Sequence, residues 1–214
     1  SVLAVPAMCR SQTLAPPGVQ GKMGVMSSPK HDLALRMAEL ARSIAPPISL
    51  DAVLHDVSKT AKELIPGVDA AGILLVGRNN THETLGPTSP LMNQLDELQM
   101  KYHEGPCIEA ALDEIVIRTD DFRDEPRFPN YAPEVVKLGV LSALSFKLYT
   151  ADRTAGALNL FGFQPNLWDS DAETIGMVLA AHAAAAILAS REGEQLQSAL
   201  STRDRIGQAK GIIM

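Results

Sequence analysis

The residues that could do chemistry are few and scattered. The chain has two cysteines, Cys9 and Cys107, far apart and without CxxC spacing. A reactive thiol needs a lowered pKa, as at a helix N-terminus or beside a cation. Cys107 falls near a predicted helix start, but its charged neighbours Glu104 and Glu109 would push the thiol up. It reads as a small buried filler. His55, His82, His103 and His182 are scattered and lack HxxxH spacing. His182 falls among alanines on an apolar helix face, where a satisfied core or interface imidazole is expected. Asp120, Asp121, Asp124 and Glu125 make an acidic loop. Paired carboxylates can do acid–base work, but no nucleophile or phosphate-binding loop accompanies them. A solvated loop or a polar rim on a pocket is the expectation. Asn159 lies amid apolar residues of a predicted strand and either points at a ligand or faces solvent. No catalytic residue, metal site or cofactor is predicted, and the chain is not expected to be an enzyme.

The elements that must position these residues follow from periodicity. Residues 31–44 carry Leu33, Met37, Leu40 and Ile44 at helical spacing, and Pro46-Pro47 ends the pattern. Ser49 caps a second predicted helix, with Leu50, Val53, Leu54, Val57, Ala61 and Leu64 on one face, stopped by Pro66-Gly67. Residues 70–76 read as a buried strand, and 81–85 as a short strand pairing back. Ser89-Pro90 starts a helix whose apolar positions are Leu91, Leu95 and Leu98. Residues 104–110 form a tight turn opening a short helix. Residues 115–119 are a strand, and 134–138 a helix. Residues 140–149 and 155–163 are strands, with Leu144, Phe146, Leu148, Leu158 and Leu160 on a buried face. A long helix starts at residue 170 with the capping-box pattern Ser170-Asp171-Ala172-Glu173. It is apolar up to about residue 190. Beyond that it turns charged, with Leu196, Leu200 and Ile206 near heptad spacing. Hairpin strands with outlying helices predict an α+β fold around an antiparallel sheet. The first and last helices are expected to lie together and supply a homodimer interface.

The composition is that of an ordinary soluble protein: 46% hydrophobic, 21% charged and 4% aromatic over 214 residues. A net charge of −6 and a pI near 5.4 argue against a basic nucleic-acid-binding surface over the whole chain. No run reads as a bilayer span of roughly 20 residues. The apolar stretch at residues 2–8 has no preceding basic residues, and Met8 before Cys9 does not suit a lipoprotein cleavage site. No membrane association is expected, and a reducing cytoplasm is the expected compartment. Residues 1–29, rich in Pro and Gly, read as a flexible leader with Met23 and Met26 as alternative starts.

Several stretches together resemble a known arrangement. These are Ser49-Leu50 through Leu64 followed by Pro66-Gly67-Val68-Asp69-Ala70-Ala71-Gly72, and Glu104-Gly105-Pro106-Cys107-Ile108-Glu109-Ala110. Asp121 with Arg127-Phe128-Pro129 is a third, with Phe128 where the family more often has Trp. Gly139-Val140-Leu141-Ser142-Ala143-Leu144-Ser145-Phe146 and Gly156-Ala157-Leu158-Asn159-Leu160 complete the set. In order and spacing they resemble a GAF domain of the actinobacterial regulator type. Ser201-Thr202-Arg203-Asp204-Arg205-Ile206-Gly207-Gln208-Ala209-Lys210-Gly211-Ile212-Ile213-Met214 is similar to the first segment of an ANTAR domain. The resemblance implies a GAF-like antiparallel sheet flanked by helices, followed by a long C-terminal helix that starts a truncated ANTAR domain. It divides the chain into a leader (1–29), a GAF-like sensor (30–190), and a coiled-coil linker with the ANTAR start (191–214). The implied function is signal-sensing control of transcription antitermination. RNA hairpins would be bound only with the full ANTAR domain, whose start would include Arg203, Arg205, Gln208 and Lys210. Charges from Arg191 onward nearly cancel, so this chain alone is expected to bind no RNA. A sensor of this shape would hold a small ligand between the sheet and segments 105–108 and 121–131. Cys107, Phe122, Phe128, Tyr131 and Ser142 are its candidate lining residues. A free-standing ligand-binding or dimerisation module is the alternative. A thiol-dependent enzyme would need several pocket cysteines, and Cys107 is one.

Overall fold

The structure is a computed structural model and describes residues 29–43, 49–77, 81–112, 115–148 and 155–190. In chain order it contains α1 (Pro29–Ser43), α2 (Leu50–Leu64), β1 (Ala70–Val76), β2 (His82–Leu85), α3 (Leu91–Tyr102) and α4 (Pro106–Leu112). Then come β3 (Val116–Thr119), a 3-10 turn (Phe122–Asp124), α5 (Tyr131–Lys137), β4 (Ser142–Leu148) and β5 (Ala155–Gly162). The last described element is α6 (Ser170–Ser190). Among the described residues the strands form one five-stranded sheet, in the order β2-β1-β5-β4-β3, with every pair antiparallel. The expected α+β architecture is therefore the one the chain adopts.

Strand register sorts the side chains into two layers, because alternate residues face opposite sides of a sheet. Ile73, Leu158, Phe146 and Val116 stand opposite one another across β1, β5, β4 and β3. They face a core shared with α1, α2 and α6, which includes Leu54, Val57, Ala61, Trp168, Ile175, Leu179 and Ala183. The adjacent row, Gly72, Asn159, Ser145 and Ile117, faces the other way. On that side the core comprises Ala70, Leu74, Ala143, Ala157 and Phe161 under Met92, Leu95, Cys107, Phe122, Phe128 and Tyr131. The central strands are covered on both faces, which is why they read as continuous apolar runs.

Helix α6 lies on the α2 side. It is long and apolar enough, by length and composition alone, to cross a membrane. This corrects the reading that no run reaches that length; the alanines of residues 180–186 carry it there. Its buried stripe of Ala172, Ile175, Leu179, Ala183 and Ile187 packs on the sheet as a core helix does. Each large aliphatic buried this way contributes roughly 1.5–3 kcal/mol. Gly176 lets the helix approach closely, since a Cβ there would fall 2.0 Å from the Phe146 ring. The helix starts at Ser170 as expected, but the cap differs. Asp169 Oδ1 accepts from the Ala172 N–H at 2.8 Å, while Glu173 turns outward to Arg118 at 3.3 Å. Asp169 sits one residue ahead of the helix, where an N-cap must sit, and it displaces Ser170 from that role. The first and last helices do share one side of the sheet: His182 of α6 hydrogen-bonds the Leu40 backbone of α1. Residues 191–214, including Leu196, Arg203, Arg205, Gln208 and Lys210, lie outside the described residues.

Candidate functional site

The side of the sheet facing α3, α4 and α5 carries a cluster of buried polar groups within its apolar core. Its floor is laid by strand register: Gly72, Asn159 and Ser145 stand in one row, flanked by the small side chains of Ala143 and Ala157. Ser145 Oγ donates to Asn159 Oδ1 at 2.8 Å. That anchors one end of the amide and leaves Nδ2 fully buried, with no hydrogen bond of ordinary geometry and the Cys107 thiol as its polar neighbour. Asn159 thus faces neither solvent nor the α6 side.

Helix α3 supplies the polar wall. Its buried stripe is Met92, Leu95, Asp96, Gln99 and Met100, so the helix is turned from the Leu91, Leu95, Leu98 face expected from sequence. Asp96 Oδ2 accepts from Thr84 Oγ1 at 2.7 Å, and Oδ1 accepts from Gln99 Nε2 at 3.3 Å. Gln99 Oε1 in turn accepts the Cys107 N–H at 2.9 Å. A relay therefore runs from edge strand β2 through α3 to the first turn of α4. Gly105 makes the last link sterically possible: it holds φ +128°, and a Cβ there would lie 2.6 Å from Gln99 Oε1. Burial pushes the Asp96 carboxyl up to about 7, against the opposing pull of the Thr84 and Gln99 hydrogen bonds.

The ceiling comes from α4, the 3-10 turn and α5. Cys107 is fully buried. Burial, and then the nearby Asp96 charge, raise its thiol far above the ordinary range, so it stays S–H at neutral pH. That chemistry does not suit a nucleophile. Tyr131 packs edge-to-face against Phe122 at 5.9 Å and Phe128 at 6.2 Å between ring centroids. Its hydroxyl is fully buried and unpartnered, and burial, followed by Asp96 and Cys107, raises its pKa. Glu104 fixes this ceiling from outside. Its carboxylate accepts from the backbone N–H groups of Asn130 and Tyr131 at 2.8 and 3.0 Å and from Asn130 Nδ2 at 2.6 Å. Asn130 makes no side-chain cap of its own, so Glu104 fills that place from the preceding segment. Partial burial opposes these hydrogen bonds, which nonetheless hold its pKa below the usual range.

The structure brings Cys107, Phe122, Phe128 and Tyr131 into this one cluster. Ser142 does not join them. It shares the parity of Leu144 and Phe146, so it faces the α6 side, and its hydroxyl donates to the Gln164 carbonyl at 2.8 Å. Three carboxylates of the acidic loop are committed to arginines. Asp120 pairs with Arg118 at 2.6 Å, Asp121 with Arg123, and Glu125 with Arg127 at 2.6 Å. Asp96, Gln99, Ser145 and Thr84 were not singled out from sequence. The signal for the first two was available: a stripe running from Met92 to Met100 places Asp96 and Gln99 between the methionines.

A sequence model of the GAF domain matches residues 47–188. The chain belongs to the GAF domain family. GAF domains are mostly sensory and regulatory modules, which fits a sensory role for this one. Its fold is shared with solved structures of low sequence identity. The GAF domain of a phosphoenolpyruvate-protein phosphotransferase from Coxiella burnetii is 18% identical with a TM-score of 0.64, over 79% of this chain and 99% of that one. A domain of a two-component sensor histidine kinase from Sinorhizobium meliloti 1021 is 16% identical with a TM-score of 0.57, over 71% and 99%. The free methionine-R-sulfoxide reductase of Neisseria meningitidis is 17% identical with a TM-score of 0.58, over 76% and 93%. At these identities the likeness is one of fold. No curated protein sequence matches the chain. In this GAF domain the buried polar cluster lies between the sheet and the segments at residues 105–108 and 121–131.

Proposed function

We propose that this GAF domain is a signal-sensing module that controls an ANTAR RNA-binding output and thereby transcription antitermination. The sensor would occupy residues 30–190, with the coiled-coil linker and ANTAR start at 191–214. The observation that carries the reading is the shared strand pair β4–β5. Its face toward α3, α4 and α5 holds Ser145 and Asn159, while the next pair along, Phe146 and Leu158, faces the α6 side. A small ligand among Cys107, Phe122, Phe128 and Tyr131 that favoured one setting of these strands would bias the seat of α6 on Phe146. A ligand can shift that balance only by its differential affinity for the two settings. The terminal run containing Arg203, Arg205, Gln208 and Lys210 supports an ANTAR output by its resemblance. The chain is read as a regulator rather than an enzyme, because the buried Cys107 thiol is held protonated.

The test is a fluorescence-anisotropy titration of a paired-hairpin RNA against the gene product as the cell makes it, alongside this 214-residue chain. RNA binding by the gene product, altered by substitution at Asn159, supports the reading. No binding by the gene product overturns the antitermination part. A second reading, a free-standing module that pairs with a copy of itself through α1 and α6, draws on the exposed Met177 of α6 beside exposed Ile115. Sedimentation of the Leu196→Glu, Leu200→Glu variant tests the pairing, and an unchanged dimer would exclude these leucines from it.

A further inference from the structure

A cavity of about 180 Å³ opens between α1 and α2, on the side of the sheet away from Cys107 and Tyr131. Two facing helix stripes build it. Asp56, Lys59, Thr60 and Glu63 of α2 recur at the spacing of one helix face, and Arg36, Glu39 and Leu40 of α1 do the same. A stripe turned toward a neighbouring helix is ordinarily apolar; here only Leu40 is, and the other side chains carry a charge or a hydroxyl. Thr60 is 7% exposed, yet its hydroxyl makes no hydrogen bond to any described residue. A helical threonine can turn that hydroxyl back on the carbonyl one turn earlier; this one lines the cavity instead. A buried polar group without a partner in the fold calls for one from outside it.

The charges indicate what that partner is. Arg36 is spent on Glu39 at 3.1 Å and Glu63 at 2.9 Å, and Lys59 leans on Glu63 at 3.9 Å. Asp56 has no ion pair or side-chain hydrogen bond among the described residues. The carboxylates Glu39, Asp56 and Glu63 outnumber the cations Arg36 and Lys59, so the lining carries an excess of negative charge. An anion would meet carboxylates whose counter-ions are already engaged. A bare metal ion is poorly served too: among the described residues no three His, Cys, Asp or Glu side chains are placed to hold one. The cavity has room for about six waters, at the roughly 30 Å³ each takes up in the liquid. That space suits a molecule of a few heavy atoms, smaller than a drug-sized ligand. Asp56 and Thr60 stand four residues apart on one face, close enough to share a cationic head. An ammonium has three donors to give them, and the buried Leu40 offers its alkyl tail an apolar seat. We propose that the α1–α2 cavity binds a compact primary amine in its ammonium form, held by Asp56 and Thr60 with its alkyl chain against Leu40. The proposal goes beyond the sensor reading and does not rest on it, since it involves neither the Cys107–Tyr131 cluster nor residues 191–214.

The experiment titrates the full chain with butylammonium chloride, sodium butyrate and sodium chloride at matched ionic strength while following 1H–13C methyl spectra. The reporters are the methyl groups of Thr60 and Leu40. Butylammonium is expected to shift these resonances saturably. Butyrate, with a similar tail and the opposite charge, and sodium chloride are expected to leave them in place. Asp56→Asn is expected to weaken the butylammonium response about fivefold, the upper end for an exposed ion pair. Thr60→Val, which keeps the shape and removes the hydroxyl, is expected to weaken it about twofold or more. Lys59→Gln, which takes a cation off the same face, is expected to leave the response as strong or stronger. Asp56 is exposed, so its substitution spares the core, and methyl signals outside the cavity that match the parent show that the variants are folded. Equal shifts with butyrate or with sodium chloride overturn the inference. So does an undiminished response in Asp56→Asn, or no saturable response to butylammonium at all. Each of these leaves the RNA titration to decide the sensor reading separately.

Discussion

Replacing Asp96 by Asn isolates the consequence of a carboxyl sealed beneath α3. Asn keeps the shape and both contacts, since its oxygen accepts from Gln99 and its NH2 donates to Thr84. It removes only the titration. Burial raises the Asp96 pKa from 3.8 to about 7, and Thr84, Gln99, Cys107 and Tyr131, which face it from β2, α3, α4 and α5, bring no cation to hold it down. Below pH 3.8 the carboxyl is protonated in both the folded and unfolded chains, and ionisation costs nothing. Between 3.8 and about 7 the unfolded chain releases the proton and the folded chain keeps it, so stability falls as pH rises. Above that window both are ionised and the loss is complete. A rise of about three pH units, at roughly 1.4 kcal/mol each, makes the full loss about 4 kcal/mol. Urea unfolding followed by the fluorescence of Trp168, the sole tryptophan and buried in the α6-side core, measures it directly. From pH 5 to pH 8 the parent should lose about 3 kcal/mol more than Asp96→Asn. Partly exposed carboxylates held low by their partners, such as Glu104 and Glu134, act in the opposite sense at more acid pH and are common to both proteins, so they cancel in the comparison. Parallel stability curves for parent and variant over that range would refute the reasoning. Asp96→Ala, which strips Thr84 and Gln99 of their acceptor, should be destabilising at every pH.

Other outcomes follow from single contacts. Gly176→Ala should destabilise the fold by about 1–3 kcal/mol, through the collision of its new methyl with the Phe146 ring, and chemical denaturation reads this directly. Glu104→Ala should lower the thermal midpoint and speed amide hydrogen exchange at Asn130 and Tyr131, whose N–H groups lose their acceptor. In a Cys9→Ser background, Cys107 should resist iodoacetamide in the folded chain and react fully in urea; prompt labelling of native protein would contradict its burial.

Much of the fold could be read from spacing, and the misreadings have physical causes. Helix α2 was legible because Val53, Leu54, Val57 and Ala61 sit at helical intervals behind a Ser49 cap that does accept from Ala52. The hairpin strands were legible from the alternation of Leu144, Phe146 and Leu148. That same period of two should have set Ser142 on the α6 side and Ser145 on the side of α3, α4 and α5, because parity along a strand fixes the face. The α3 phase was lost because three leucines outweighed two methionines as markers of the buried stripe, which left Asp96 and Gln99 off the expected face. A polar residue buried by neighbours from other segments carries no local signal: Thr84 and Gln99 satisfy Asp96 only once β2 and α3 have docked. Asn159 was legible as unusual but not as to its face, since β5 is covered on both sides and its sequence does not alternate.

The grip of Glu104 on α5 reaches beyond capping. The glutamate precedes α4 by two residues and holds the first N–H groups of α5, so the roof over Asn159 is riveted across its seam. Cys107 and Tyr131 are borne by the two panels so joined. Parting the two panels therefore means breaking the Glu104 hydrogen bonds first; a lone rotamer change of Tyr131 would leave the seam closed.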